Sequence, residues 1–172
     1  MTNGFQRGDL IILAARPAMG KTAFALNLAL NASFYNPGAI AVFSLEMPAE
    51  ALMKRILSAK SAVESSKLRS GNILDEEFNK LNESANELMA CKLFIDDSSN
   101  IKISEIFSKC RKLKSEHGLD LVVIDYLQLI SGSGRGGSDN RQQEISEISR
   151  SLKGLPERWN VPLYHYHSYH VV

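Results

Sequence analysis

The sequence predicts an α/β fold, a mostly parallel sheet flanked by helices, on three observations. Apolar runs of strand length alternate with segments of helical periodicity along the chain, and such alternation makes the helices crossovers on the faces of a parallel sheet. One of these runs passes directly into A-R-P-A-M-G-K-T at residues 15–22, and the next segment is helical in pattern. Another, L-D-L-V-V-I-D-Y at residues 119–126, reads as a buried strand that carries an aspartate near its end. With 172 residues, 44% of them hydrophobic, the chain is long enough to bury the core of one domain.

The elements follow in order. The first strand covers residues 10–14, and the helix after the loop runs from about 21 to 34, ended by the turn chemistry of Asn36, Pro37 and Gly38. A second strand at 40–44 leads through F-S-L-E-M-P to a helix that begins at Pro48, a residue suited to a first helical position. Residues 75–89 read as a helix with Phe78, Leu81, Ala85 and Leu88 on one face. Asp75, Glu76 and Glu77 complement the dipole of its first turn. A third strand at 92–95 is followed by Asp96 and Asp97, then by a helix at about 104–116 with Ser104 as N-cap and Gly118 as its stop. The fourth strand, at 121–125, ends at Asp125, and the fifth begins near Val161. Between them lie S-G-S-G-R-G-G-S-D-N, a flexible-loop composition, and a helix at 141–155 whose Ile145, Ile148 and Leu152 share a face.

Composition narrows the function classes. A formal net charge of +1 gives no whole-protein basic field, so any nucleic-acid contact has to be local. The two cysteines, Cys91 and Cys110, are far apart without a C-x-x-C pairing, which fits a reduced intracellular compartment and no thiol metal site. Neither a signal peptide nor an apolar stretch approaching the ~20 residues of a membrane span is visible, so a cytoplasmic location without membrane contact is expected.

Strand, glycine-bearing loop and helix in that order form the context of a phosphate-binding P-loop, in which backbone N–H groups at a helix N-terminus face an anion. The loop comprises Ala15, Arg16, Pro17, Ala18, Met19, Gly20, Lys21 and Thr22. Lys21 is placed to reach the β- and γ-phosphates of ATP, and Thr22 to ligate Mg²⁺. The first position, usually glycine, is Ala15, which fits if the backbone there keeps a negative φ. The alternative is a chance Gly-Lys-Thr opening an ordinary helix. Asp125, at the carboxyl end of a parallel strand, stands where open α/β sheets bind ligands and would share the Mg²⁺ site with Thr22.

Glu46 admits two readings: a general base that polarises the water attacking the γ-phosphate, or an acid at a helix N-terminus beside Pro48. Asp96 and Asp97 reach the same sheet edge and compete as metal or base candidates, against the commoner job of capping a helix. Arg135 and Arg141 flank the glycine-rich segment, where guanidinium groups and loop amides would grip a single-stranded phosphate backbone, or form a solvated surface.

Together these motifs resemble the C-terminal motor domain of DnaB-type replicative DNA helicases, a RecA-fold family. The resemblance rests on G-F-Q-R-G-D-L-I-I-L-A-A-R-P-A-M-G-K-T, F-S-L-E-M-P, D-L-V-V-I-D-Y-L-Q-L-I and N-R-Q-Q-E-I-S-E-I-S-R-S-L-K. It implies a RecA-like P-loop NTPase core, Ala15 as normal in this P-loop, Glu46 as the catalytic glutamate and Asp125 as the metal-binding acid. It further implies that residues 131–141 line the channel of a homo-hexameric ring, with ATP between subunits and 5′-to-3′ movement on single-stranded DNA. Primase and a helicase loader are the expected partners of the full-length protein. A loader or a clock-type ATPase is the competing reading; such proteins should lack the glycine-rich loop followed by R-Q-Q-E-I-S-E-I-S-R.

The family implies regions before and after this segment, so residues 1–172 are expected to be one incomplete motor domain with the C-terminal part of its sheet missing. After Pro162 the sequence reads L-Y-H-Y-H-S-Y-H-V-V, with His165, His167 and His170. A metal site on alternating histidines is one reading. The resemblance suggests another, because the family carries S-Q-L-S-R here, with a glutamine that senses the γ-phosphate. With suitably chosen codons, residues 163–172 read two bases along spell I-S-L-S-Q-L-S-R-G. The tail at 163–172 is therefore expected to be out of frame, and the isolated chain to be poorly stable and a weak ATPase.

Overall fold

The computed structural model describes residues 6, 9–15, 18–125 and 161–168. Ten elements lie in them: β1 (Leu10–Ala15), α1 (Lys21–Tyr35), β2 (Ala39–Ser44), α2 (Ala49–Ser61), α3 (Ser65–Ser70), α4 (Asp75–Ala90), β3 (Leu93–Asp96), α5 (Ile103–His117), β4 (Leu119–Asp125) and β5 (Leu163–Ser168). The strands make one sheet in the order β1-β5-β4-β2-β3, every pair parallel. A parallel sheet covered on both faces needs apolar residues at successive positions, and β2 is buried along its whole length.

Each face has its own packing. On one, α5 sets Ile106 and Cys110 against Ala41, Phe43, Val122 and Ile124. Burial, reinforced by the Asp96 carboxylate, pushes the Cys110 thiol up to about 12, which makes it a core group rather than a reactive one. On the other face α1 presents Ala25 and Ala29 to Ile40, Val42, Leu121 and Val123. Two alanines let the helix axis approach the sheet closely, and this fixes where the first turn of α1 stands. Behind α1, its Leu26 and Leu30 meet Leu52 and Ile56 of α2 and Leu88 of α4.

Several local expectations change. Ser104 does not cap α5; Lys102 is the N-cap residue without a side-chain bond, and the helix starts one residue before Ser104. Pro48 is the N-cap residue of α2 rather than its first helical residue. Phe78 is exposed, since α4 buries Leu81, Ser84 and Leu88 instead. One helix, α3, was not expected. It is a polar six-residue turn with no buried residue, so it carries no amphipathic signal. At the start of α4 the Glu77 carboxylate does the capping: it accepts the Leu74 N–H at 3.1 Å and pairs with Lys67 at 2.6 Å.

The last strand is the informative one for the tail. Backbone pairing places β5 between β1 and β4, with Ile12 opposite His165 and Ala14 opposite His167. Strand pairing uses main-chain groups, so a polar side-chain sequence does not prevent it. The side chains of His165 and His167, and all of His170, lie outside the described residues. No helix of the described residues is long and apolar enough to cross a membrane.

Candidate active site

Ala15 is the last residue of β1, in extended backbone paired with Ser168. A strand position has negative φ, which explains how alanine replaces the usual glycine there. The left-handed conformations come later, at Ala18 (φ 62°) and Gly20 (φ 81°). Residues of this kind turn neighbouring N–H groups to one side of the chain, as in an anion-binding nest. A Cβ on Gly20 would meet nothing within 4 Å, so glycine is needed there for its φ and not for space. Gly20 is also the N-cap of α1 and accepts the Phe24 N–H at 2.9 Å. No acidic residue occupies the first turn of α1, which leaves the positive end of the helix dipole available to a phosphate. Arg16 and Pro17 lie outside the described residues.

Lys21 and Thr22 open α1, and the close seating of that helix on Ala25 and Ala29 brings its first turn to the carboxyl end of β4. There the Thr22 hydroxyl donates to Asp125 Oδ2 at 3.1 Å across 103 residues of sequence. Asp125 is only 3% exposed. A hydroxyl oxygen and a carboxylate at this separation form an oxygen-only donor pair, the chemistry that suits Mg²⁺ rather than a softer ion.

Glu46 stands in the bend between β2 and α2, its side chain exposed. Ser44 is the strand partner of Asp125, so Glu46 lies two residues beyond the level of Asp125 at the same sheet edge. The bend is held from both strands. Leu45 N–H donates to the Asp125 carbonyl at 2.7 Å, and the buried Ser44 hydroxyl donates to the Met47 carbonyl at 2.7 Å. A second acid serves the N-terminus of α2: Asp97 Oδ2 accepts the Ala49 N–H, the first of α2, at 2.8 Å.

The pair Asp96 and Asp97 is thereby accounted for. Asp96 is bound to Lys109 and to the Ser98 N–H. Burial raises its pKa, but the hydrogen bonds from Lys109 and Ser98 outweigh burial and hold the carboxyl below the usual value. Asp97 does cap a helix, although not the one that follows it in sequence. Sequence reasoning missed this long-range cap and the role of Ser44; a lone serine ending the apolar run A-I-A-V-F-S was the available signal. Arg135, Arg141, the glycine-rich segment and the helix expected at 141–155 lie outside the described residues.

A family model described as the DnaB-like helicase C-terminal domain matches residues 1–166. Over 163 residues the chain is 52% identical to the replicative DNA helicase DnaC of Bacillus subtilis and to the replicative DNA helicase DnaB of Geobacillus stearothermophilus. Each match takes in 95% of this chain and 36% of the relative's length, so the chain spans about a third of these proteins. Among solved structures, one described as an ATPase domain superposes with a TM-score of 0.89 at 33% identity, over 96% of this chain and 59% of that one. A DnaB-like replicative helicase, described with its interactions with primase, gives the same score and identity over 96% of this chain and 40% of its own.

Proposed function

Because the chain belongs to the DnaB-like helicase C-terminal domain family, we propose that it is the ATP-driven motor of a replicative DNA helicase. In this reading ATP hydrolysis drives 5′-to-3′ movement on single-stranded DNA and opens the duplex at a replication fork. The observation that carries the proposal is the 3.1 Å contact of Thr22 with the buried Asp125, which joins the loop after β1 to the end of β4 in one oxygen-lined corner.

The roles follow from position. Backbone amides of the loop from Ala15 to Thr22 and the Lys21 ammonium hold the phosphates of ATP. The Thr22 hydroxyl and Asp125 carboxylate hold Mg²⁺, which when bound neutralises charge on the β- and γ-phosphates. Glu46 takes a proton from the attacking water as that oxygen bonds to the γ-phosphorus and the bond to the β,γ-bridging oxygen breaks. Arg135 and Arg141 grip single-stranded DNA through its phosphates. We place this motor in a homo-hexamer with ATP between subunits, working with primase and a helicase loader in the full-length protein and located in the cytoplasm.

Residues 163–172 we read as an out-of-frame tail. Because β5 separates the P-loop strand from the Asp125 strand, its residues adjoin the site, and this chain alone hydrolyses ATP weakly. Sequencing the gene across the Pro162 codon is expected to find one base missing; single-stranded-DNA-stimulated hydrolysis with unwinding by the 172-residue chain would overturn the reading.

The nucleotide site is tested by titrating the chain with a fluorescent ATP analogue with and without Mg²⁺. Affinity should rise with Mg²⁺ in the parent and not in Asp125→Asn, and Lys21→Ala should weaken binding in both conditions. A parent chain indifferent to Mg²⁺ refutes the assignment.

A further inference from the structure

We propose that Asp97 is a positioning residue for Glu46: from the end of β3 it fixes the bend that carries the catalytic carboxylate. The inference rests on the reading of Glu46 as general base and adds a residue outside the nucleotide corner to that reaction.

Glu46 is exposed and rides on three bend residues, 45–47, between a fully buried strand and a helix. An exposed carboxylate on a short connection acts as a base only if its backbone is held, because a displacement of ~1 Å from the reacting water costs about 10²-fold in rate. On the strand side, Leu45 N–H is bound to the Asp125 carbonyl and Ser44 Oγ to the Met47 carbonyl. The helix side has a different problem. Its N-cap residue is Pro48, which has no side-chain oxygen to satisfy the first N–H groups of α2 and makes no side-chain cap bond. Asp97 supplies the missing acceptor from 48 residues away, at 2.8 Å to the Ala49 N–H. Its charge also lies at the positive end of the α2 dipole.

The bend is thus anchored to β4 at its start and to the end of β3 at its finish. These strands flank β2, so the Glu46 backbone is held from both neighbours of the strand that delivers it. Asp96, one residue earlier, is committed to Lys109 on α5 and touches none of the bend's bonds. The two adjacent carboxylates therefore separate a positioning role from a packing role, and the neighbour serves as an internal control.

The test compares Asp97→Ala, Asp97→Asn, Asp96→Asn and Glu46→Gln in the 172-residue chain. Three quantities are read: amide hydrogen exchange, fluorescent-ATP affinity, and single-turnover hydrolysis of radiolabelled ATP with the protein in excess. Asp97→Ala should speed exchange at residues 45–50 at least about tenfold, as a lost cap bond frays the first turn, while the interior of α2 stays protected. Its hydrolysis should fall about 10- to 100-fold with unchanged ATP affinity. Asp97→Asn keeps an acceptor oxygen and should recover most of both losses; Asp96→Asn should match the parent. Unchanged exchange at 45–50 in Asp97→Ala overturns the proposal, as does faster exchange throughout α2 or hydrolysis equal to the parent's. Glu46→Gln distinguishes the premise: if it hydrolyses ATP like the parent, the base assignment fails, whereas a slow Glu46→Gln beside a fast Asp97→Ala removes the positioning role alone. Should the parent's turnover be undetectable, the exchange pattern decides.

Discussion

Strands β4 and β3 flank β2, and both run to aspartate at the same edge of the sheet, yet their carboxylates do different work. Asp125 ends an interior strand, is almost wholly buried and meets the Thr22 hydroxyl. Asp96 ends the outermost strand, a quarter exposed, and pairs with Lys109. The sheet order explains the contrast: the close-packed face of α1 delivers its N-terminus to the middle of the sheet, not to its edge. Residue type and strand end alone do not make a metal site. What separates the two aspartates is proximity to the N-terminus of α1, where the phosphates of ATP are proposed to bind.

The contrast is broken most sharply by exchanging charge at each position. Asp125→Asn is expected to lower ATP hydrolysis on the order of 10²–10³-fold, the scale of weakening one charge-stabilising element, here the Mg²⁺ that the carboxylate would hold. Asp96→Asn should leave turnover unchanged. A phosphate-release assay on both variants checks this, and similar losses in the two would mean that the edge carboxylate belongs to the site.

A second comparison lies within β4 itself, between Asp125 at its end and Asp120 near its start. The Asp120 carboxylate accepts the Gly38 N–H at 2.7 Å and so closes the turn into β2. A Cβ built on Gly38 would stand 2.5 Å from Asp120 Oδ2, which forces the carboxylate off its bond. Gly38→Ala should therefore destabilise the chain by about 1–3 kcal/mol, the usual cost of overpacking, without altering ATP affinity. Urea denaturation beside nucleotide titration separates the two effects. A loss of affinity would show that the amino end of the sheet reaches the site.

The edge pair gives a smaller effect with a defined pH dependence. Because the folded-state pKa of Asp96 is depressed, its contribution is present above the unfolded value and lost as pH falls through the lower folded value. The stabilisation should thus disappear below the ordinary carboxylate value of 3.8, and Lys109→Met should remove it at neutral pH at a cost of about 1 kcal/mol or less. If Lys109→Met leaves the acid limb of the stability curve unmoved, the ion pair is not what lowers this carboxyl.

Much of this was legible in the chain because local signals and tertiary placement agree. The Gly20-Lys21-Thr22 turn, the apolar run into Asp125 and the alternation of strands and helices are contiguous patterns, and each lies where the pattern predicts. The capping of α2 by Asp97 was not legible, since a bond across 48 residues leaves no spacing signature. Ser104 failed as a cap for the complementary reason. A local preference gave way when the buried Ile101 and Ile106 set the start of α5 one residue earlier. No local spacing separates the two readings of Glu46; the bond of Asp97 to the Ala49 N–H supports the base reading without deciding it.

The subtlest comparison is between two alanines in left-handed backbone, Ala18 in the phosphate loop and Ala62 at the end of α2. Both carry φ near 60°, where a Cβ crowds the following carbonyl at a cost of roughly 1–2 kcal/mol. At Ala62 the conformation only terminates a helix, the job glycine performs at the end of α3 in Gly71. Ala62→Gly is accordingly expected to stabilise the chain by about 0.5–1 kcal/mol, the relief of strain less the added entropy of an unfolded glycine. ATP affinity should not change. Ala18→Gly relieves the same strain, but it also frees the loop whose amides are proposed to receive the phosphates of ATP. It should raise thermal stability by a similar amount and weaken ATP binding a fewfold, because the variant then spends ordering entropy on binding. Measured side by side, equal affinities in the two variants would mean that the left-handed alanine of the loop is a turn like any other.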